Sequence, residues 1–157
     1  MSRNLRFLPL TLAALLAFGG CAKSTPAADP AAAKAFLAQN AKSADIHVTA
    51  SGLQYRVLKS GPQSGPHPKS DSEVKVDYEG KLVDGTVFDS SYARGVPAVL
   101  ELEKLIPGWR EALQLMRPGD VWLIYLPAEL GYGDESAGPI PPGSVLVFKL
   151  ELIAVGL

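Results

Sequence analysis

The stretch VKVDYEGKLVDGTVFD, residues 74–89, decides the fold of this chain. From Val74 to Glu79 apolar and charged residues alternate, which is the period of two that a half-buried strand requires. The pair Asp84-Gly85 then supplies turn residues, and Thr86-Val87-Phe88 returns as the next strand of a hairpin. The stretch therefore predicts an antiparallel sheet with one face in a hydrophobic core.

Three other segments carry strand signals and one carries a helix signal. Strands are predicted at Leu53–Lys59, which mixes aromatic and β-branched residues with polar ones, at the apolar run Val121–Leu126, and at Leu146–Leu152, which has the period of two again. A helix is predicted at Trp109–Met116, between two Pro-Gly pairs, and Gly131–Gly143 is too rich in Gly and Pro for regular structure. We predict an α+β fold in which an antiparallel, strongly twisted sheet of about five strands wraps on one short helix.

Composition limits the domain count and the classes of function. A chain of 157 residues with 47% hydrophobic residues fits one globular domain. The net charge of −1 gives no field that would gather nucleic acid, so we expect no nucleic-acid partner. His47 and His67 have no Cys or acidic partner at ligand spacing, so we expect no metal site.

The first 20 residues are predicted to be a signal peptide. Arg3 and Arg6 provide the positive start, and the apolar run Phe7–Phe18 has the length of a signal core and is too short to span a bilayer. It ends in Phe18-Gly19-Gly20-Cys21, which resembles the lipobox of bacterial lipoproteins, whose cysteine is acylated. The alternative is a secreted protein cut nearby, with Cys21 an incidental thiol.

Residues 21–50 are predicted to form a lipidated tether and a short helix. Ala22–Asp29 is small and polar, and Asp29-Pro30 then supplies an N-cap and a first helical residue for a helix to about Lys42. Whether this helix packs on the domain, on a second copy or on neither stays open. Residues 51–157 form the main domain, with a core at 71–157.

Six residues of the C-terminal half suggest an apolar hollow with a single carboxylate. They are Tyr78, Phe88, Asp89, Trp109, Tyr132 and Phe148. Such a site favours binding or conformational catalysis. Taken singly, Tyr78, Trp109 and Phe148 are typical of a core, Asp89 is typical of a turn, and Tyr132 between two glycines is typical of a loop anchor. Hydrolysis by Ser90 or Ser91 is disfavoured, because no histidine stands at a plausible spacing.

Five blocks in order give these residues a family context. They are Val76-Asp77-Tyr78-Glu79-Gly80, Gly85-Thr86-Val87-Phe88-Asp89-Ser90-Ser91, Ile106-Pro107-Gly108-Trp109, Gly131-Tyr132-Gly133, and Ile140-Pro141-Pro142 before Leu146-Val147-Phe148. Over residues 71–157 the chain resembles FKBP-type peptidyl-prolyl cis-trans isomerases. The resemblance implies an isomerase that needs no cofactor, acts on proline-containing polypeptides and binds macrolide inhibitors.

The resemblance also implies roles for individual residues. Trp109 forms the floor of the proline site, Asp89 is the polar group that faces the bound amide, and Tyr132 offers its hydroxyl to a substrate carbonyl. The walls and the aliphatic edge of the site are implied to be Tyr78, Phe88, Leu100, Leu105, Ile106 and Phe148. The Ile106 backbone N–H is implied to hold a second carbonyl.

The sequence departs from the family pattern at two places. Ala98 stands where many members have an aromatic wall, and Asp134-Glu135-Ser136-Ala137 is polar where better-known members carry a histidine or an apolar residue.

The alternative function is a module that binds proline-containing segments with little turnover. We predict a location in the bacterial cell envelope, facing the periplasm and anchored to the membrane by a lipid on Cys21, with the outer membrane favoured. The oligomeric state stays open.

Overall fold

The computed structural model describes residues 29–156 and confirms the predicted α+β class. The predicted signal peptide, Cys21 and the tether up to residue 28 lie outside the described residues. The helices are α1 (Pro30–Asn40), α2 (Ser91–Arg94) and α3 (Pro107–Leu115). The strands are β1 (His47–Val48), β2 (Gln54–Lys59), β3 (Glu73–Leu82), β4 (Val87–Ser90), β5 (Ala98–Glu101), β6 (Val121–Leu126) and β7 (Leu146–Val155). Within residues 29–156, no helix has the length and apolar character needed to cross a membrane.

The strands form one antiparallel sheet in the order β1-β2-β6-β7-β3-β4, with β5 also paired to β3. The sheet therefore has seven strands, and the prediction of about five was too low. The two strands that were missed, β1 and β5, have two and four residues. They are too short to show a period of two, so the prediction could not detect them. The single-turn helix α2 was missed for the same reason.

The hydrophobic core lies between α3 and one face of the sheet. The alternating residues Leu146, Phe148, Leu150 and Leu152 of β7 are all buried, as their period predicted. From α3 and the residue after it, the buried side chains are Trp109, Ala112, Leu113 and Met116, the face that the helical period predicted. Each fully buried leucine side chain contributes about 1.5–3 kcal/mol to stability, so this layer holds the helix on the sheet.

Helix α1 packs on the opposite face of the same sheet, which answers the question that its sequence left open. Its N-cap is Asp29, whose side chain accepts a hydrogen bond from the Ala31 N–H at 2.9 Å. At the other end, the buried Gln54 of β2 donates to the Leu37 carbonyl at 2.9 Å and accepts from the Asn40 amide at 2.8 Å. One buried side chain thus bonds two groups of the last helical turn, where the Leu37 carbonyl also accepts the Ala41 N–H at 3.0 Å.

We predict that Gln54→Ala loosens α1 and leaves the sheet intact. The substitution removes the hydrogen bonds of Gln54 to the Leu37 carbonyl, which keeps the Ala41 N–H, and to the Asn40 amide, each worth about 0.5–1.5 kcal/mol. Amide hydrogen exchange should accelerate in α1 and stay unchanged in β3 and β7. The control is Gln39→Ala on the exposed side of the same helix. Equal protection of α1 in the two variants would contradict the role of Gln54.

Candidate active site

A cleft of about 500 Å³ opens between the sheet and α3. The structure brings all nine predicted cleft residues to its walls, namely Tyr78, Phe88, Asp89, Leu100, Leu105, Ile106, Trp109, Tyr132 and Phe148. Their individual roles in catalysis and binding stay predictions. Four further residues line the cleft that were not predicted as site residues, although Ile140 belongs to one family block and Ala137 to the departing loop: Lys104, Ala137, Pro139 and Ile140. Ala98 is half-buried beside the core and does not line this cleft among the described residues.

The floor of the cleft is a set of aromatic rings packed edge to face. The Trp109 ring meets Tyr78 at 5.0 Å between centroids and Phe148 at 5.2 Å, with interplanar angles of 81° and 85°. Phe88 meets Phe148 in the same way, at 5.5 Å and 87°. This geometry is favoured by the charge distribution of aromatic rings, and it fixes each ring by its neighbours. The floor is therefore rigid before any ligand arrives.

The close packing of these rings requires a glycine in β3. A Cβ atom built on Gly80 would lie 2.6 Å from atoms of both Phe88 and Phe148. Real Cβ contacts are not that short, so any side chain here would displace the rings. Glycine is therefore required at position 80 for a steric reason, because it leaves space for the two phenyl rings.

Asp89 is the carboxylate of the cleft, and its charge is already compensated. Asp89 accepts a hydrogen bond from the Tyr78 hydroxyl at 2.5 Å and forms an ion pair with Arg94. The Arg94 guanidinium also donates a hydrogen bond to the Tyr78 hydroxyl oxygen at 3.0 Å. Burial of the carboxyl group raises the pKa of Asp89, but these hydrogen bonds and the guanidinium charge outweigh burial and lower it overall. Burial and the bond to Asp89 raise the pKa of the Tyr78 phenol. Both groups are held in one protonation state near neutral pH.

Arg94 reaches Asp89 because a buried serine fixes α2 against β3. The Ser91 hydroxyl accepts the Tyr78 N–H at 2.8 Å and donates to the Asp77 carboxylate at 2.6 Å. Ser90 caps the same helix by accepting the Ala93 N–H at 3.2 Å. Both serines therefore have structural hydrogen bonds, and no histidine lines the cleft in the described part of the chain. This arrangement does not support hydrolysis.

Two hydrogen-bond donors stand at the rim of the cleft. Tyr132 is 42% exposed on a loop held by bonds from Gly133 N–H to Ala128 and from Gly143 N–H to Gly133, both 2.8 Å. Ile106 lies just before α3, and its carbonyl accepts from the first turn of that helix. Among residues 29–156, neither the Tyr132 hydroxyl nor the Ile106 N–H is hydrogen-bonded. Both donors are free to meet carbonyl groups of a bound chain.

Sequence reasoning missed one functional candidate, Arg94. It follows Asp89 by five residues, at the end of a helix too short to predict, and nothing in its local pattern distinguishes it from a surface arginine. Only the fold brings it to the carboxylate. The described residues contain no group of three His, Cys, Asp or Glu side chains placed to hold a metal ion.

Comparisons with known proteins agree with this geometry. The family model described as FKBP-type peptidyl-prolyl cis-trans isomerase matches residues 65–153, and the model of the domain amino terminal to it matches residues 21–57. The chain is 49% identical to the peptidyl-prolyl cis-trans isomerase Mip of Coxiella burnetii, over 78% of this chain and 53% of that protein. It is 47% identical to the outer membrane protein MIP of Legionella longbeachae, over 77% of this chain and 52% of that protein. The chain spans about half the length of these curated relatives.

Solved structures of peptidyl-prolyl cis-trans isomerases have the same fold as this chain. A peptidyl-prolyl cis-trans isomerase from Pseudomonas syringae aligns with a TM-score of 0.76 at 36% identity, over 85% of this chain and 98% of that one. FkpA from Escherichia coli aligns with a TM-score of 0.76 at 39% identity, over 80% and 58%. Matched in sequence over more than half its length and in fold over most of it, the chain belongs to the family of FKBP-type peptidyl-prolyl cis-trans isomerases.

Proposed function

We propose that this chain is a peptidyl-prolyl cis-trans isomerase that accelerates rotation about Xaa-Pro bonds without forming a covalent intermediate. The observation that carries the proposal is the cleft itself, an aromatic hollow of about 500 Å³ whose carboxylate is already paired with Arg94. A site for bond cleavage needs a free nucleophile or base. This cleft instead offers apolar surface and rim donors, and the names of its relatives point to the same reaction.

The chemistry of the reaction explains why such a cleft suffices. The barrier to rotation is about 18–20 kcal/mol, because the planar amide is conjugated and twisting ends that conjugation. The twisted amide has a less polarised carbonyl, so transfer from water to an apolar hollow penalises it less than the planar form. A barrier lowered by roughly 4 kcal/mol is about a thousandfold in rate. Desolvation and one or two hydrogen bonds supply that amount.

We infer a part for each predicted residue from its place in the lining of the cleft. The prolyl ring sits on Trp109, between Tyr78 and Phe148, where it displaces water from the apolar surface of the cleft. The Ile106 N–H and the Tyr132 hydroxyl hold carbonyl groups on either side of the rotating bond. Asp89, oriented by Tyr78 and Arg94, faces the amide as a fixed negative group and transfers no proton. Rotation exchanges no proton with the solvent, so none is required.

Substitutions in the cleft test the proposal. We expect Tyr132→Phe combined with Asp89→Ala to lower kcat/KM for an Xaa-Pro peptide by roughly 10- to 100-fold, since the first removes a hydrogen-bond donor to the bound chain and the second removes the fixed negative charge that faces the amide. Trp109→Ala should abolish most of the activity because the floor is removed. The matched control is Tyr92→Phe, an exposed tyrosine outside the cleft. The measurement is a protease-free isomerisation assay. A wild-type chain no faster than buffer would contradict the proposal, and tight peptide binding without acceleration would indicate a binding module.

The pH dependence separates a fixed carboxylate from an acid or base. The lowered pKa of Asp89 and the raised pKa of Tyr78 predict a constant rate between about pH 5 and 9, inside the ordinary values of about 3.9 and 10. Because the folded-state pKa of Asp89 is depressed, its contribution to stability is complete above the unfolded pKa and is lost as the pH falls through the folded pKa. Rate and stability should therefore decline together in acid. A change of rate near neutral pH would contradict the assignment of Asp89 as a fixed carboxylate. Asp89→Asn should remove the decline of the rate in acid.

We also propose that the protein is exported and anchored in the cell envelope through a lipid on Cys21. The proposal rests on the apolar run 7–18 followed by the cysteine, and on a relative named as an outer membrane protein. Several acyl chains on one residue give the stable anchoring that one chain does not.

Cys21→Ala tests the anchor. We expect the wild-type chain in the membrane fraction, with an N-terminal peptide that carries the mass of acyl chains on Cys21. The variant should move to the soluble fraction with its isomerase activity unchanged, since residue 21 is far in sequence from the cleft residues. A wild-type N-terminus that starts after residue 21 without a lipid would contradict the proposal.

A further inference from the structure

Strand β5 leaves one of its edges unpaired directly beside the cleft. It pairs with β3 on one side, from Glu73 opposite Glu101 to Val76 opposite Ala98, and no other strand of the described chain pairs with it. Val99 is 50% exposed and Val96, in the turn before the strand, is 65% exposed. The edge is therefore open to solvent and apolar.

The register decides which backbone groups this edge presents. Leu102 donates its N–H to the Ser72 carbonyl at 2.9 Å, and two residues earlier Leu100 stands opposite Val74. In an antiparallel pair, successive residues turn their N–H and C=O groups to opposite sides. Val99 and Glu101 consequently turn theirs away from β3. Together with the Pro97 carbonyl, they form a row of donors and acceptors that a further strand could use.

The side chains of β5 connect this row to the cleft. Leu100 lines the cleft, and Val99 and Glu101 lie on the other face of the sheet. Ala98 shares the face of Leu100 and adds a single methyl group to it. The way from the cleft over β5 is thus not blocked by a large side chain at this position.

We propose that β5 binds the extended part of a client chain as an added antiparallel or parallel strand while the proline of that client occupies the cleft. The inference rests on the proposed isomerase function and names how the enzyme holds longer substrates. The occupant is a proline-containing extended polypeptide, because the edge is continuous with the cleft through Leu100 and offers main-chain groups that any sequence can pair. The affinity of this edge then comes from hydrogen bonds to the backbone of the client, and the side chains of β5 discriminate little between client sequences.

Two substrates of different length separate this inference from the isomerase proposal. A tetrapeptide fills the cleft alone, whereas a peptide of about twelve residues with the same Xaa-Pro centre also reaches β5, at about 3.4 Å per residue. Acceleration of the tetrapeptide reports on the cleft. The gain in affinity from tetrapeptide to long peptide reports on β5.

The discriminating variant is Val99→Pro, which removes the outward N–H at an edge position where proline is tolerated. We expect the KM of the long peptide to rise about 3- to 10-fold, the loss of one hydrogen bond, while kcat/KM of the tetrapeptide stays within about twofold. Val99→Ala keeps the N–H and should match the wild type on both substrates. Equal effects of Val99→Pro on both peptides, or none on either, would overturn the inference.

A second measurement does not depend on how the variant folds. A single N-methyl group is moved along the long peptide, and binding to the wild-type protein is measured by fluorescence polarisation. Pairing with β5 predicts losses at every second amide, because only alternate N–H groups of the client face the strand. A profile without this period would overturn the inference. So would sedimentation that shows a dimer lost in Val99→Pro with long-peptide affinity unchanged, since the edge would then serve a second copy.

Discussion

The candidate active site depends on a hydrogen bond at a gap in the sheet. On its outer edge β3 pairs with β5 up to Val76 and with β4 from Glu79, so Tyr78 lies where no strand covers it. Its N–H goes to the Ser91 hydroxyl, which is fully buried and donates in turn to Asp77. An unsatisfied buried N–H costs about 1–3 kcal/mol, so this bond holds α2 firmly on the strand. That position of α2 is what lets Arg94 reach the carboxylate of the cleft.

The sequence could predict the elements that depend on local periodicity, and it could not predict those that depend on contacts between separate segments. Strands β3 and β7 and the buried face of α3 follow from local periods of two and 3.6, which the chain displays over ten or so residues. The order of five sequence blocks identified the cleft residues, because family motifs carry long-range information that periodicity lacks. The position of Arg94 depends on the docking of α2 on β3 through Ser91, and β5 and the docking of α1 likewise depend on contacts between separate segments of the chain. Nothing in the local sequence records those contacts, so the sequence could not predict them.

The packing of the cleft and its proposed chemistry are linked. Rings that contact one another edge to face, with Gly80 leaving them space, hold each other in place before a ligand enters. A hollow that is already formed does not spend binding energy on its own ordering, so its apolar surface acts on the substrate amide. The paired Asp89 extends this reasoning to electrostatics, because its direction and charge are set by Tyr78 and Arg94 before binding.

Under the proposed lipid anchor on Cys21, the two faces of the sheet would separate membrane attachment from substrate binding. Helix α1 begins at Pro30 on the face opposite α3, so the chain that leads from Cys21 arrives on the side away from the cleft floor. The eight residues 22–29 reach at most about 28 Å when extended, which keeps the domain close to whatever surface holds Cys21. A tether attached to the α3 side would bring that surface against the cleft. Under the proposed anchoring, attachment through α1 would instead leave the cleft and the free edge of β5 turned away from that surface, and the buried amide of Gln54 bonds α1 to the sheet in that position.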